Sequence, residues 1–102
     1  MNILLIGSEG ALGKDLQKYL KKKNNLKLID CINKKKYFKN YIKKDLTKKI
    51  NFYPFKKKKF DIAIILAFYK SQPNQFNSAN RLEFKKKNEI ILKNYLKILK
   101  FL

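Results

Sequence analysis

A chain of 102 residues has room for one domain or part of one, and with 45% hydrophobic residues it can bury a core, which excludes wholesale disorder. The formal charge is +19, from 26 basic and 7 acidic residues. That charge invites a nucleic-acid reading, but Arg81 is the only arginine, and arginine supplies most bidentate phosphate and base recognition. The lysines are scattered among asparagines and isoleucines, a mixture that reads as a compositional bias and a solvated basic surface, with no specific nucleic-acid partner expected. Cys31 is the only cysteine, so no intrachain disulfide can form and a reduced, cytoplasmic setting is expected. No window approaches the ~20 apolar residues of a membrane span, and histidine is absent.

Residues 2–6 (NILLI) form a short apolar run ending at Gly7, the pattern of a strand buried on both faces in a parallel sheet. From Ala11 the period changes: Leu12, Leu16, Tyr19 and Leu20 fall at helical spacing, with Lys14, Lys18 and Lys21 to Lys23 facing away, until Asn24 and Asn25 end the helix. Leu26 to Ile32 is a second strand, and Lys34 to Lys36 open a polar connection. Tyr41 and Ile42 make a short third strand followed by Asp45-Leu46-Thr47. Residues 51–59, with Pro54 and Lys56 to Lys59, read as a loop or a short irregular helix, and Phe60 to Phe68 is the strongest strand in the chain. Residues 70–80 are polar, after which Phe84, Asn88, Ile91, Leu92, Tyr95, Leu99 and Leu102 trace one face of a long helix.

Apolar strands alternating with amphipathic helices give an α/β class with a parallel sheet and right-handed crossovers. The order predicts half of a doubly wound, Rossmann-type sheet flanked by helices, with its ligand crevice at the carboxyl ends of the strands. Gly7, Asp30, Asp45 and Ala67 all fall at such ends.

All three glycines of the chain lie within the seven residues Gly7-Ser8-Glu9-Gly10-Ala11-Leu12-Gly13. A glycine directly after a buried strand permits a tight turn at positive φ. A missing Cβ lets a phosphate approach main-chain N–H groups, and the helix that follows aims its free N–H groups at the same spot. A glycine one turn into the helix lets it lie close to the first strand. The spacing is G-x-x-G-x-x-G, not the G-x-G-x-x-G of the best-known dinucleotide fingerprint.

This turn after an N-terminal strand resembles the extended short-chain dehydrogenase/reductase family, which contains the NAD-dependent epimerases and dehydratases of nucleotide sugars. The resemblance implies that Gly7, Ser8, Glu9, Gly10, Ala11, Leu12 and Gly13 hold the cofactor pyrophosphate. It implies that Asp30, with Cys31 beside it, meets the adenosine ribose and that Asp45 and Leu46 line the adenine pocket. Leu66, Ala67, Phe68 and Lys70 would pass beneath the nicotinamide and pyrophosphate. Asn88 resembles the asparagine that opens the family's next helix. Read on their own, Asp45 is also a turn former, Asn88 an ordinary polar residue on a helix face, and Phe84 and Tyr95 core residues. A carboxylate at Asp30 accepts ribose hydroxyls and repels a 2′-phosphate, which favours NAD over NADP, while Lys34 to Lys36 pull the other way.

The family's chemistry needs a tyrosine and a lysine four residues later, on a helix after the fifth strand. Tyr19/Lys23 and Tyr53/Lys57 match the spacing, as chance allows in so lysine-rich a chain, and neither pair takes a catalytic role. The expectation is that residues 1–102 are the N-terminal part of an NAD-binding domain, without the catalytic half. The alternatives are a non-catalytic dinucleotide-binding or regulatory module and a basic nucleic-acid binder. The strand at Phe60 to Phe68 would be left as an apolar edge, open to a complementary chain or to a second copy.

Overall fold

A computed structural model of the chain describes residues 1–32, 40–49, 60–67 and 78–101, without the side chains of 78–80 and 101. The elements are β1 (Asn2–Ile6), α1 (Ala11–Leu20), β2 (Asn25–Asp30), β3 (Tyr41–Lys43), β4 (Ile62–Ile65) and α2 (Ser78–Ile98), which tightens into a 3₁₀ turn at Leu99–Phe101. The four strands form one parallel sheet in the order β3-β2-β1-β4. Ile6, the last residue of β1, pairs with Ile29 on one side and Ile65 on the other.

The central place of β1 explains its composition. Ile3, Leu4, Leu5 and Ile6 are all buried, because both faces of the strand are covered. On one face Leu4, Ile6 and Ile29 pack with Ile91, Tyr95 and Ile98 of α2. On the other, Leu5, Leu28 and Tyr41 pack with Leu16 of α1. The two helices therefore cover opposite sides of the sheet. Asn94 of α2, itself buried, donates from Nδ2 to the carbonyls of Leu46 and Lys48 at 2.8 and 2.9 Å. The Tyr95 hydroxyl donates to the carbonyl of Ala67. These bonds tie one helix to the chain just past β3 and just past β4.

Several boundaries differ from the sequence reading. β2 stops at Asp30, so Cys31 and Ile32 extend past the sheet and are exposed. β4 pairs over Ile62–Ile65 only; Phe60 is buried ahead of it, and Leu66 and Ala67 lie just beyond. On α1 the inward positions are Gly13, Leu16, Gln17 and Leu20, while Leu12 and Tyr19 are 61% and 78% exposed. The helix presents its glycine to the preceding turn, and at 100° per residue that rotation carries Leu12 and Tyr19 outward. α2 starts at Ser78, so residues 78–80 belong to the helix. Asn88 lies in the middle of α2, where its Nδ2 donates to the Phe84 carbonyl at 3.2 Å; it does not open the helix. Leu92 and Leu99 are exposed, with Leu82 and Leu96, and the inward face runs through Ile91, Asn94, Tyr95 and Ile98. Leu102, Lys34 to Lys36, the loop or short helix expected at 51–59 with Tyr53 and Lys57, and most of the loop expected at 70–80 lie outside the described residues.

Among the described residues β4 pairs on one side only, with β1, and Ile62 is partly exposed. Among the same residues no helix is long and apolar enough to cross a membrane, and no three His, Cys, Asp or Glu side chains are grouped to hold a metal ion.

Candidate functional site

The chain makes its sharpest turn where β1 meets α1. Gly7 has φ +86°, a conformation that side chains rarely adopt, and a Cβ there would come within 3.0 Å of the Ala67 nitrogen. Gly13 is needed for a different reason. A Cβ on it would sit 2.3 Å from the Gly7 carbonyl oxygen and 2.8 Å from the carbonyl of Ser8, all of it backbone. Gln17, one helical turn on, donates from Nε2 to that same Ser8 carbonyl. The turn and the helix are thus pressed together along the Gly13–Gln17 face.

Gly10 has neither constraint. Its φ and ψ are −71° and 168°, open to any residue, and the nearest atom to an added Cβ is the Gly7 oxygen at an ordinary 3.7 Å. It is exposed and is the N-cap of α1, yet it offers no side-chain cap. The first turn of α1 holds no acidic residue, and the helical ladder begins with the Lys14 N–H donating to the Gly10 carbonyl at 2.9 Å. The N–H groups of Ala11, Leu12 and Gly13 precede that bond and have no intrahelical acceptor. Beside them Ser8 is fully buried, and its hydroxyl has no hydrogen-bond partner among the described residues. N–H groups without an intrahelical acceptor at a helix N-terminus, with room above a glycine, can receive an anion.

The neighbouring strand ends complete the site. Asp30, the last residue of β2, accepts the Glu9 N–H at 2.9 Å on Oδ2 and the Cys31 N–H at 2.6 Å on Oδ1. Past Asp30 lies a pocket of about 160 Å³. Its walls are Asp30 and Cys31 from the end of β2, Asp45, Leu46 and Thr47 from the chain after β3, and Ala67 from the chain after β4. Ile29 and Ile91 contribute apolar side chains, and Lys44 the one basic group of the lining. The volume is close to that of an engineered cavity of ~150 Å³ that accepts a single aromatic ring.

Asp45 accepts both the N–H (3.0 Å) and the hydroxyl (2.6 Å) of Thr47 on Oδ1. It forms the turn that sequence alone allowed, and the Thr47 hydroxyl holds its carboxyl below the usual carboxylate range. The Cys31 thiol is pushed up, first by partial burial and then by the Asp30 charge. Burial raises the Tyr95 hydroxyl to about 12.

Of the residues singled out in the sequence, Asp30, Cys31, Asp45, Leu46 and Ala67 meet in one pocket, and Gly7 to Gly13 form the adjoining turn. Leu66 packs with Leu5 on the α1 side of the sheet, away from the pocket lining. Phe68 and Lys70 lie outside the described residues. Tyr19 and Lys23 are exposed on and just beyond α1. Sequence reasoning passed over Gln17 and Asn94, and gave Thr47 and Ile91 no part in the site. Gln17 was open to view, four residues after Gly13 and so on the same helical face. Asn94 shared the apolar face of Ile91 and Ile98, where an amide signals a buried tie.

Compared with known proteins, the chain matches no family profile, no curated protein and no solved structure. The fold is α/β, a four-stranded parallel sheet with a helix on each face, an arrangement consistent with a Rossmann-like fold.

Proposed function

We propose that this chain is the NAD-binding portion of an oxidoreductase of the nucleotide-sugar epimerase or dehydratase type. The observation that carries the reading is Gly10. Gly7 and Gly13 are explained by the protein's own backbone, whereas at Gly10 the protein leaves room and asks for nothing. A glycine without an internal reason, over helix N–H groups without an intrahelical acceptor, suits the close approach of a pyrophosphate. The order β3-β2-β1-β4, with helices on both faces, supports half of a doubly wound sheet, whose ligands lie at the carboxyl ends of the strands.

In this reading the amides of Ala11 and Leu12 receive the pyrophosphate, Asp30 accepts the adenosine ribose hydroxyls, and the pocket walled by Asp45, Leu46 and Thr47 takes the adenine. Asp30 favours NAD over NADP by repelling a 2′-phosphate. Phe68 and Lys70 keep the roles the resemblance implies, near the nicotinamide. NAD would supply hydride acceptance and return at a sugar carbon; none of the described residues is assigned to that chemistry. A complementary chain or a second copy would pair along the side of β4 that no described strand occupies.

Calorimetric titration of the full chain tests the proposal. The expected result is binding of NAD, weaker binding of NADP, and loss of both in Gly10→Asp, which sets a carboxylate where the phosphates approach. Equal NAD affinity in the parent and Gly10→Asp would overturn it.

A further inference from the structure

The glycine turn is held from the neighbouring strand at two points. The Gly7 N–H donates to the Ile29 carbonyl at 2.8 Å, backbone to backbone. The Glu9 N–H donates to Asp30 Oδ2 at 2.9 Å, a side-chain contact that spans 21 residues of sequence. The other oxygen of the same carboxylate accepts the Cys31 N–H at 2.6 Å, which fixes the plane of the group. Glu9 immediately precedes Gly10, so the peptide that Asp30 grips is joined to the one whose glycine faces the anion. An ionised carboxylate offers acceptors on both oxygens and carries no proton of its own, and hydrogen bonds to it are roughly twice as strong as neutral ones.

We infer that Asp30 is a positioning residue for the glycine turn: it holds the Glu9 amide and thereby the anion-receiving shape of residues 9–12. The inference rests on the dinucleotide reading of the site but differs from a ribose contact, and the two roles predict opposite signs for one ligand. Inorganic pyrophosphate has no ribose. If Asp30 served ribose alone, its negative charge would only repel pyrophosphate, and removing that charge would tighten binding. If Asp30 holds the turn, removing the charge leaves one neutral acceptor for two N–H groups, so the hold on the Glu9 N–H is weakened or lost and pyrophosphate binding weakens despite the relieved repulsion.

The test is titration of the full chain and its Asp30→Asn and Asp30→Glu variants with inorganic pyrophosphate and with NAD, alongside amide NMR. Asparagine keeps the size of aspartate but has one carbonyl oxygen and one NH₂ donor, so it cannot accept from Glu9 and Cys31 on separate oxygens. The expected result is that Asp30→Asn weakens pyrophosphate about tenfold, the scale of one lost charge-assisted bond. NAD is weakened at least as much, the Glu9 amide resonance moves, and Asp30→Glu recovers part of the pyrophosphate affinity. Unchanged or tighter pyrophosphate binding in Asp30→Asn, with NAD alone weakened, overturns the positioning role and leaves the dinucleotide reading standing. Absence of binding of both ligands to the parent overturns both. If Asp30→Asn does not fold, the parent decides: a Glu9 amide protected from hydrogen exchange supports the tie, and an unprotected one refutes it.

Discussion

The three glycines make a prediction that separates folding from binding. Alanine at Gly13 puts a methyl against the Gly7 and Ser8 backbone, at distances no real Cβ tolerates. Overpacking of this kind costs about 1–3 kcal/mol. Because the clashing atoms are all backbone, the upper end applies. The better helix propensity of alanine returns about 1 kcal/mol, so a net loss of about 2 kcal/mol follows. In a domain of this size each kcal/mol moves the melting temperature by roughly 4–8 °C, so Gly13→Ala should melt about 10 °C below the parent. Gly10→Ala meets no clash and no unusual φ. Restricting the unfolded chain adds about 0.4–1 kcal/mol, while alanine is a poorer N-cap than glycine by a similar amount. Its stability should match the parent within about 0.5 kcal/mol.

Binding should reverse the ranking. A methyl on Gly10 stands where a phosphate would come closest to the helix N–H groups, so Gly10→Ala should weaken NAD at least tenfold, or about 1.4 kcal/mol. Thermal unfolding and calorimetric titration, run on the same preparations, read the two quantities. A Gly10→Ala protein that binds NAD within twofold of the parent would refute the reasoning. So would a Gly10→Ala protein that melts as low as Gly13→Ala, since the fold would then have required this glycine as well.

Asn94→Leu should lose about 2 kcal/mol, because the buried Leu46 carbonyl and the part-buried Lys48 carbonyl lose their donor; chemical denaturation reads the loss, and hydrogen exchange should localise it to residues 46–48. Tyr95→Phe removes the bond to the Ala67 carbonyl and should cost about 1 kcal/mol near neutral pH. The raised Tyr95 pKa fixes a sign: the folded state keeps a proton that the unfolded chain sheds near its ordinary value of 10.0, so this contribution is whole below pH 10 and fades toward pH 12. The stability gap between parent and Tyr95→Phe should therefore narrow over that interval in pH-dependent denaturation. Cys31, exposed but with its thiol pushed up, should alkylate more slowly at pH 8 than an unhindered cysteine thiol. Asp30→Asn should speed the reaction by removing a neighbouring charge, and saturating NAD should slow it in the parent.

The parallel strands and the turn after the first of them were legible because they rest on local signals. A short aliphatic run ended by a glycine fits a strand covered on both faces, and the clustered glycines mark a tight turn, which Gly7 and Gly13 need for the backbone packed against them. Helix faces were harder to read. Leu12 and Tyr19 satisfy the helical period as well as Leu16 does, but the roll of α1 is set by Gly13, whose lack of a side chain makes it the point of contact. Hydrophobic periodicity gives no weight to glycine and so turned the helix the wrong way. The same bias hid Asn94 and promoted Leu92 and Leu99, which lie beside the buried face of α2 without entering it. The pocket was half legible: strand ends could be aligned from the sequence, but Thr47 and Ile91 come to it through the path of the chain after β3 and the docking of α2, which no local pattern encodes.

The charge of the chain sharpens what the site can be. With 26 basic residues against 7 acidic ones, a surface that held anions by bulk attraction would have lysines everywhere to do it. The candidate site instead gathers two of the seven carboxylates, Asp30 and Asp45, into one pocket lining that contains a single lysine, Lys44. An anion settling at the glycine turn beside that pocket would be held by directed N–H groups, next to carboxylates and not to a cluster of lysines. Short directed hydrogen bonds act at contact distance, whereas attraction between exposed charges fades beyond a Debye length of about 8 Å at physiological ionic strength. NAD should therefore lose little affinity as salt rises, while a polyanion attracted to the lysine surface should lose most of its own. If NAD binding fell as steeply as polyanion binding, the lysines would be holding the ligand and the glycine turn would not.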